Sequence, residues 1–290
     1  MNSTLIAGQC HCCQTILVQS LAEWHWRCPT CHYEKALLAP AINSAAHQFV
    51  DEDAREKGLG EVRQANFKVL LSQIARFKPQ GGALLDVGSA HGWFLNLAKK
   101  AFDTTGIEPD QAIWSQAHAQ GLQVRLGYFP DVLSEQERFD VITFNDVLEH
   151  IPDIEQALDA CRRHLNPEGL LVINLPSSRG VFYRLSKILS RLGWSSSFER
   201  MWQKDFPSPH VHYFNERNLS LLLNNKQFQI VRTGRLKTLM ISGLAARLSY
   251  GSSASSIKNK ILYVAIVLAL PFLAILPADI QYVIVRANQD

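Results

Sequence analysis

The sequence predicts an α/β fold, a mostly parallel sheet with helices on both faces, preceded by a small metal-binding ribbon. Three observations carry this. Apolar runs of strand length alternate with helical stretches from Leu84 onward, the order that builds a parallel sheet. The first run, Leu84-Leu85-Asp86-Val87, ends in an acid and a turn, Gly88-Ser89-Ala90-His91-Gly92, before an apolar helical stretch. Such a turn lies at the carboxyl edge of an open sheet, where ligands bind. Finally, five of the six cysteines crowd between Cys10 and Cys31, a clustering that points to metal rather than to disulfides.

With 290 residues, 47% of them hydrophobic, the chain can bury a sizeable core. A net charge of +3 gives no compositional case for nucleic-acid binding. Met1–Gln9 lacks a basic region followed by an apolar core, so no secretory leader is predicted and a cytoplasmic location is expected.

Residues 1–40 form the predicted ribbon. Cys10 and Cys13 make one CxxC knuckle, Cys28 and Cys31 a second, and four thiolates so arranged suit structural zinc in a tetrahedral site. No position of such a site stays open to substrate. Ile16–Val18 and Trp24–Trp26 have strand character. His11, Cys12 and His32 are neighbouring alternative ligands, and a redox pair is the competing reading.

Residues 41–80 read as a linker, Pro40 to Asp51, and a helix from about Asp53 to Phe77, stopped by Pro79-Gln80-Gly81-Gly82. The domain over 81–290 then runs strand, turn and helix (Trp93–Phe102), followed by a second strand, Thr104–Glu108. Glu108 lies where an acid can accept the hydroxyls of a ribose. Pro109 ends that strand and Asp110 caps a helix over Gln111–Gln120. A third strand is expected at Gly121–Leu126 and a fourth at Phe139–Asp146. A helix over Ile154–Leu165 leads to a fifth strand at Gly169–Leu175, a sixth lies at Phe228–Thr233, and Ile280–Arg286 closes the sheet.

Four stretches in this order, LLDVGSAHG, GIEPD, FDVITFNDVLEHIPD and LNPEGLLVINLP, resemble the class I S-adenosylmethionine-dependent methyltransferases. Pro209-His210-Val211-His212-Tyr213-Phe214 is similar to a segment found in the members associated with polysaccharide and small-molecule pathways. The resemblance covers about Leu84 to Ala287. It implies a Rossmann-like seven-stranded methyltransferase sheet with its last strand antiparallel. It also implies that Asp86, Gly88, Ser89 and Gly92 shape the methionine side of an S-adenosylmethionine pocket, that Glu108 and Pro109 hold the ribose side, and that Asn145, Asp146 and Val147 close it. The middle glycine of the family's DxGxGxG is Ala90 here, and His91 follows it.

Methyl transfer to a hydroxyl calls for a base near neutral pH, and His150 and His212 are the candidates. Asp146, Glu149 and His150 spell DxxEH where some members bind a metal through ExxEH, so magnesium is an alternative cofactor. The expected reaction is O-methylation of a sugar, a lipid-linked saccharide or a small metabolite. RNA methylation guided by the ribbon, and a non-catalytic scaffold, are the rivals; the charge balance argues against nucleic acid. Two further segments complete the reading. A lid insertion over about 177–212 contains a basic amphipathic helix, and an apolar segment over about 261–277 is too short to span a bilayer. Together they suggest peripheral contact with the inner face of a membrane.

Overall fold

The computed structural model describes residues 8–43, 52–241, 244 and 257–288. Most of Met1–Gln9 and of the linker, residues 44–51, lies outside the described residues. The ribbon contributes β1 (Val18–Gln19), β2 (His25–Arg27) and β3 (Glu34–Ala36). Helix α1 (Glu52–Phe77) follows, then β4 (Ala83–Val87), α2 (Trp93–Ala98), β5 (Asp103–Glu108), α3 (Gln111–Ala119), β6 (Val124–Leu126) and β7 (Phe139–Asn145). A single 3₁₀ turn, Leu148–His150, precedes α4 (Ile154–His164) and β8 (Leu165–Pro176). The remaining elements are α5 (Val181–Arg191), α6 (Ser196–Met201), β9 (His212–Tyr213), α7 (Glu216–Asn225), β10 (Phe228–Leu236), α8 (Ile257–Ile275) and β11 (Ile280–Ala287).

Seven strands form the main sheet in the order β10-β11-β8-β7-β4-β5-β6. The five strands from β8 to β6 are parallel, and β11 runs antiparallel to both its neighbours, as expected. Consecutive apolar residues go to opposite faces. Leu84, Val141, Leu170, Val172 and Ile284 pack with Phe67, Leu70 and Ile74 of α1 and Phe94 of α2. Leu85, Ile142, Phe144, Leu171, Ile173 and Val283 face the other way, onto Leu158 of α4 and Leu222 of α7. Each fully buried aliphatic side chain contributes about 1.5–3 kcal/mol, so this double-sided core is the main stabiliser.

Strand β8 starts earlier than its apolar run, because Leu165 already pairs with Phe139 ahead of the Asn166–Gly169 stretch. Strand β6 is shorter than expected, since Gly121 adopts φ 76° to end α3. Asp110 caps α3 as predicted, its Oδ1 accepting from the amides of Ala112 and Ile113 at 2.9 and 3.1 Å.

The ribbon is completed from elsewhere in the chain. Its three antiparallel strands are joined by β9, giving the order β1-β2-β3-β9 with Glu34 opposite Tyr213 and Lys35 opposite His212. Cys10, Cys12, Cys28, Cys31 and Tyr33 therefore belong to the same buried cluster as α4 and α7. Further bonds tie the two parts together. Asn218 Nδ2 donates to Cys31 O, Asn225 Nδ2 to Cys12 O, and His11 Nδ1 pairs with Glu155 at 2.7 Å. At the centre of the junction Glu34 is buried against His25 (2.9 Å), the Tyr183 hydroxyl (2.7 Å) and Lys187 (2.6 Å).

Among the described residues, no helix is long and apolar enough to cross a membrane. The apolar stretch expected over 261–277 forms α8, which passes through Pro271.

Candidate active site

A cavity of about 1160 Å³ opens at the carboxyl ends of β4, β5 and β7. The turn after β4 forms its floor. Gly88 takes φ 68° with Val147 so close that a Cβ there would sit 2.6 Å from a Val147 methyl, so the turn leaves no room for a side chain. Ala90 adopts φ 45°, a left-handed conformation that costs a non-glycine residue about 1–2 kcal/mol. That conformation aims its amide at Glu108 Oε2, 2.9 Å away.

Glu108 is buried, and its other oxygen accepts from the Asp110 amide at 2.9 Å. Burial pushes its carboxyl up to about 7, against the pull of these two amides. Asp86 is buried too, with Thr143 Oγ1 at 2.7 Å and Asn145 Nδ2 at 2.8 Å on one oxygen. Burial likewise raises it to about 7. Two further buried atoms of cavity-lining residues, Ser89 Oγ and Asn145 Oδ1, have no hydrogen-bond partner among the described residues. Buried polar groups are satisfied in the great majority of cases, so these atoms call for a polar ligand. Carboxylates for hydroxyls and a cation, open polar atoms and a glycine-lined floor fit a nucleoside with a charged tail, as S-adenosylmethionine is.

Of the residues expected at the cofactor, Asp86, Gly88, Ser89, Glu108, Pro109, Asn145, Asp146 and Val147 all line this cavity. Gly92 stands just behind it as the left-handed N-cap of α2, where a Cβ would sit 2.1 Å from Leu122 Cδ1. His150 lines the cavity as well. Its Nδ1 lies 3.0 Å from Pro209 O, and a carbonyl only accepts, so Nδ1 carries the proton and the lone pair is on Nε2.

His212 requires correction as a candidate base. It is fully buried outside the cavity, its Nε2 bonded to Ile151 O at 2.9 Å and its Nδ1 to the Tyr33 hydroxyl. Burial and the nearby His11 hold its imidazole down at about 3. The magnesium set also changes. Asp146 turns to Asn174 Nδ2 at 3.0 Å and lies 3.9 Å from Arg63, while Glu149, His150 and His210 bring one ligand atom each within 4.8 Å of one another. Magnesium prefers oxygen, and two imidazoles with one carboxylate suit a transition metal better.

Sequence reasoning expected the lid but missed the linker's part in the cover. Pro40, Ile42 and Asn43, on the near end of the linker, line the cavity, and Asn43 clasps the turn between β5 and α3 through Pro109 O (2.7 Å) and the Gln111 amide (3.2 Å). Gln203, Phe206 and Ser208 come from the lid, and the Ala41 amide bonds Pro207 O at 2.7 Å to join the two covers. A lone asparagine in a linker carries no signal of such a role.

In the ribbon, Cys10, Cys13, Cys28 and Cys31 bring their sulfurs within 4.8 Å of one another. The Cys10–Cys31 and Cys13–Cys28 separations are 3.5 and 3.4 Å. Four thiolates at about 2.3 Å from one zinc stand about 3.8 Å apart, so the set fits that ion with small adjustment. The alternative imidazoles are engaged elsewhere, His11 with Glu155 and His32 with Arg27.

Comparison with known proteins agrees with this geometry. The model of a family described as "Methyltransferase domain" matches residues 60–233. A ubiquinone biosynthesis O-methyltransferase of Alkalilimnicola ehrlichii is 31% identical over 141 residues, 46% of this chain and 56% of its own length. The chain thus spans about half the length of the curated relatives it matches. Among solved structures, a chain from the complex of the Haloferax volcanii Trm112 methyltransferase activator with a putative methyltransferase superposes with a TM-score of 0.59. It is 14% identical, over 85% of this chain and 99% of that one. A methyltransferase of Thermotoga maritima, described as a possible histamine N-methyltransferase, gives 0.53 at 15% identity, over 83% and 97%. These two likenesses show the fold, and the family match covers more than half of the sequence: the chain belongs to the methyltransferase-domain family.

Proposed function

We propose that this protein is an S-adenosylmethionine-dependent O-methyltransferase acting on a hydroxylated small molecule. One observation carries the reading. Glu108, the orphaned Ser89 and Asn145 oxygens, and the His150 imidazole all border one cavity. The relatives named for O-methylation in ubiquinone biosynthesis support a hydroxyl as acceptor.

When bound, the cofactor supplies an electrophilic methyl group on a sulfonium. Glu108 holds the ribose hydroxyls, and the Asp86 carboxylate favours the cationic tail. The covers over 40–43 and 203–208 exclude water and orient the acceptor. His150 Nε2 takes the proton of the acceptor hydroxyl, while Nδ1 stays tied to Pro209 O. In the ribbon, Cys10, Cys13, Cys28 and Cys31 hold one structural zinc, which elemental analysis of the purified protein checks at one ion per chain.

Glu108→Ala is expected to weaken cofactor binding roughly 10- to 100-fold in calorimetry, the scale of a lost charged hydrogen bond, with the fold intact. In the parent protein the same titration should release protons near pH 7, because hydroxyls donating to Glu108 favour its ionised form. Unchanged affinity together with no proton release would overturn the ribose assignment. His150→Ala should leave cofactor affinity alone and lower kcat about 10²- to 10⁴-fold toward a phenolic or sugar hydroxyl. A variant that keeps full turnover removes His150 as the base.

A further inference from the structure

A second cavity, of about 890 Å³, shares no lining residue with the first. It opens between α5, the end of β10 and the Pro277–Ala278 segment that leaves α8. Its charge is one-sided. Arg179, Arg184, Arg191 and Arg235 stand on its walls, and among the described residues none of these guanidinium groups has an acidic partner. The acids that line it are Glu34, already consumed by His25, Tyr183 and Lys187, and Glu216. Guanidinium groups gathered without carboxylates suit phosphate oxygens.

An apolar surface adjoins it. Helix α8 is apolar around its circumference, a composition that elsewhere means burial, yet no described side chain on it is buried. Its most exposed members, Ile261, Val264, Leu268, Phe272 and Ile275, recur three and four residues apart and so form one stripe. Among the described residues α8 packs along no other helix or strand. Helix α5 adds Leu185, Ile188 and Leu192, with Trp194 just beyond its end, all more than half exposed and interleaved with Arg184 and Arg191. Asp279, on the segment that leaves α8, accepts from the Phe182 amide of α5 through Oδ1 at 2.8 Å, which ties that segment to α5 beside the basic cavity.

We infer that this face docks on an anionic bilayer, with α8 and the α5 leucines in the headgroup boundary and the arginine cavity on lipid phosphates. The complementarity selects the occupant. A second copy of the chain would bring the same unpaired arginines, and a nucleic acid would leave the aliphatic stripe in water. A surface-lying apolar helix beside a cluster of cations matches an interfacial segment. None of the residues of this docking face lines the substrate cavity.

Flotation of the full chain with vesicles tests this. Vesicles of about one-third phosphatidylglycerol in phosphatidylcholine should carry the protein, whereas pure phosphatidylcholine should carry roughly tenfold less. Raising the salt to about 1 M, where screening acts within about 3 Å, should reduce the anionic binding toward the neutral level. The double variant Arg184→Glu/Arg191→Glu and, separately, Leu268→Ser/Phe272→Ser should each cut the bound fraction at least about tenfold. Cofactor affinity must be unchanged in both, which confirms that they fold. Free inorganic phosphate should not compete at concentrations comparable to the lipid. Absence of vesicle binding overturns the proposal. So does a dimer abolished by Leu268→Ser/Phe272→Ser, which makes α8 a contact between copies, or RNA binding lost in the arginine variant, which makes the cavity a nucleic-acid site.

Discussion

Stripping the proposed zinc from the ribbon, or replacing Cys28 and Cys31 with serine, is expected to lower the thermal midpoint by roughly 10 °C or more. Structural zinc in small modules contributes about 10–16 kcal/mol of folding free energy, so the short hairpin strands would not persist without it. The damage spreads beyond the first forty residues because β9 pairs with β3, and Asn218 and Asn225 donate to carbonyls of Cys31 and Cys12. Hydrogen exchange should therefore show lost protection in β9 and in the Pro207–Val211 stretch before it, with β4 and β7 still protected. Equal protection before and after chelation would mean that the thiols only happen to be adjacent.

Glu34→Ala should cost about 3–5 kcal/mol, the penalty for breaking a buried ion pair and leaving its partners unpaired. Lys187 and His25 would lose a carboxylate at a largely buried junction. The same group sets an acid limit. Burial alone would raise its carboxyl, but His25 and Lys187 outweigh this and hold it near 2 rather than 4.5. A carboxylate with a depressed native pKa contributes stability that is fully present above its unfolded value. That stability is lost as the pH falls through the window from about 4.5 to about 2. Urea midpoints across that window should drop more steeply for the parent protein than for Glu34→Ala. Parallel curves would show that Glu34 is not ionised at the junction.

The parts of this molecule that could be read in the sequence are those whose signals are local. Asp86, the turn after it and Glu108 are spaced by one strand, one turn and one helix, and the sheet brings all of them to a single edge. The cysteine pairs are legible because each knuckle needs only four consecutive residues. His212 was misjudged for the opposite reason. Its role depends on Tyr33 and Ile151, remote positions that no period or spacing connects to it. Strands β3 and β9, three and two residues long, are too short to show alternation and exist only because they find each other. Asn43 is equally silent, since its value lies in reaching back to Pro109 and Gln111.

The shared small sheet also bears on how the chain comes off the ribosome. Tyr33 and its partner His212 lie 179 residues apart. At about 5–20 residues per second, roughly 9 to 36 seconds of synthesis separate them. Throughout that interval the nascent ribbon has an unpaired edge along Glu34–Ala36, and a carboxylate whose lysine has not yet been made. Thiolates clamped on an ion are a local device that needs none of the later chain. Metal capture early in translation would keep this hairpin from pairing with strangers until its own fourth strand arrives.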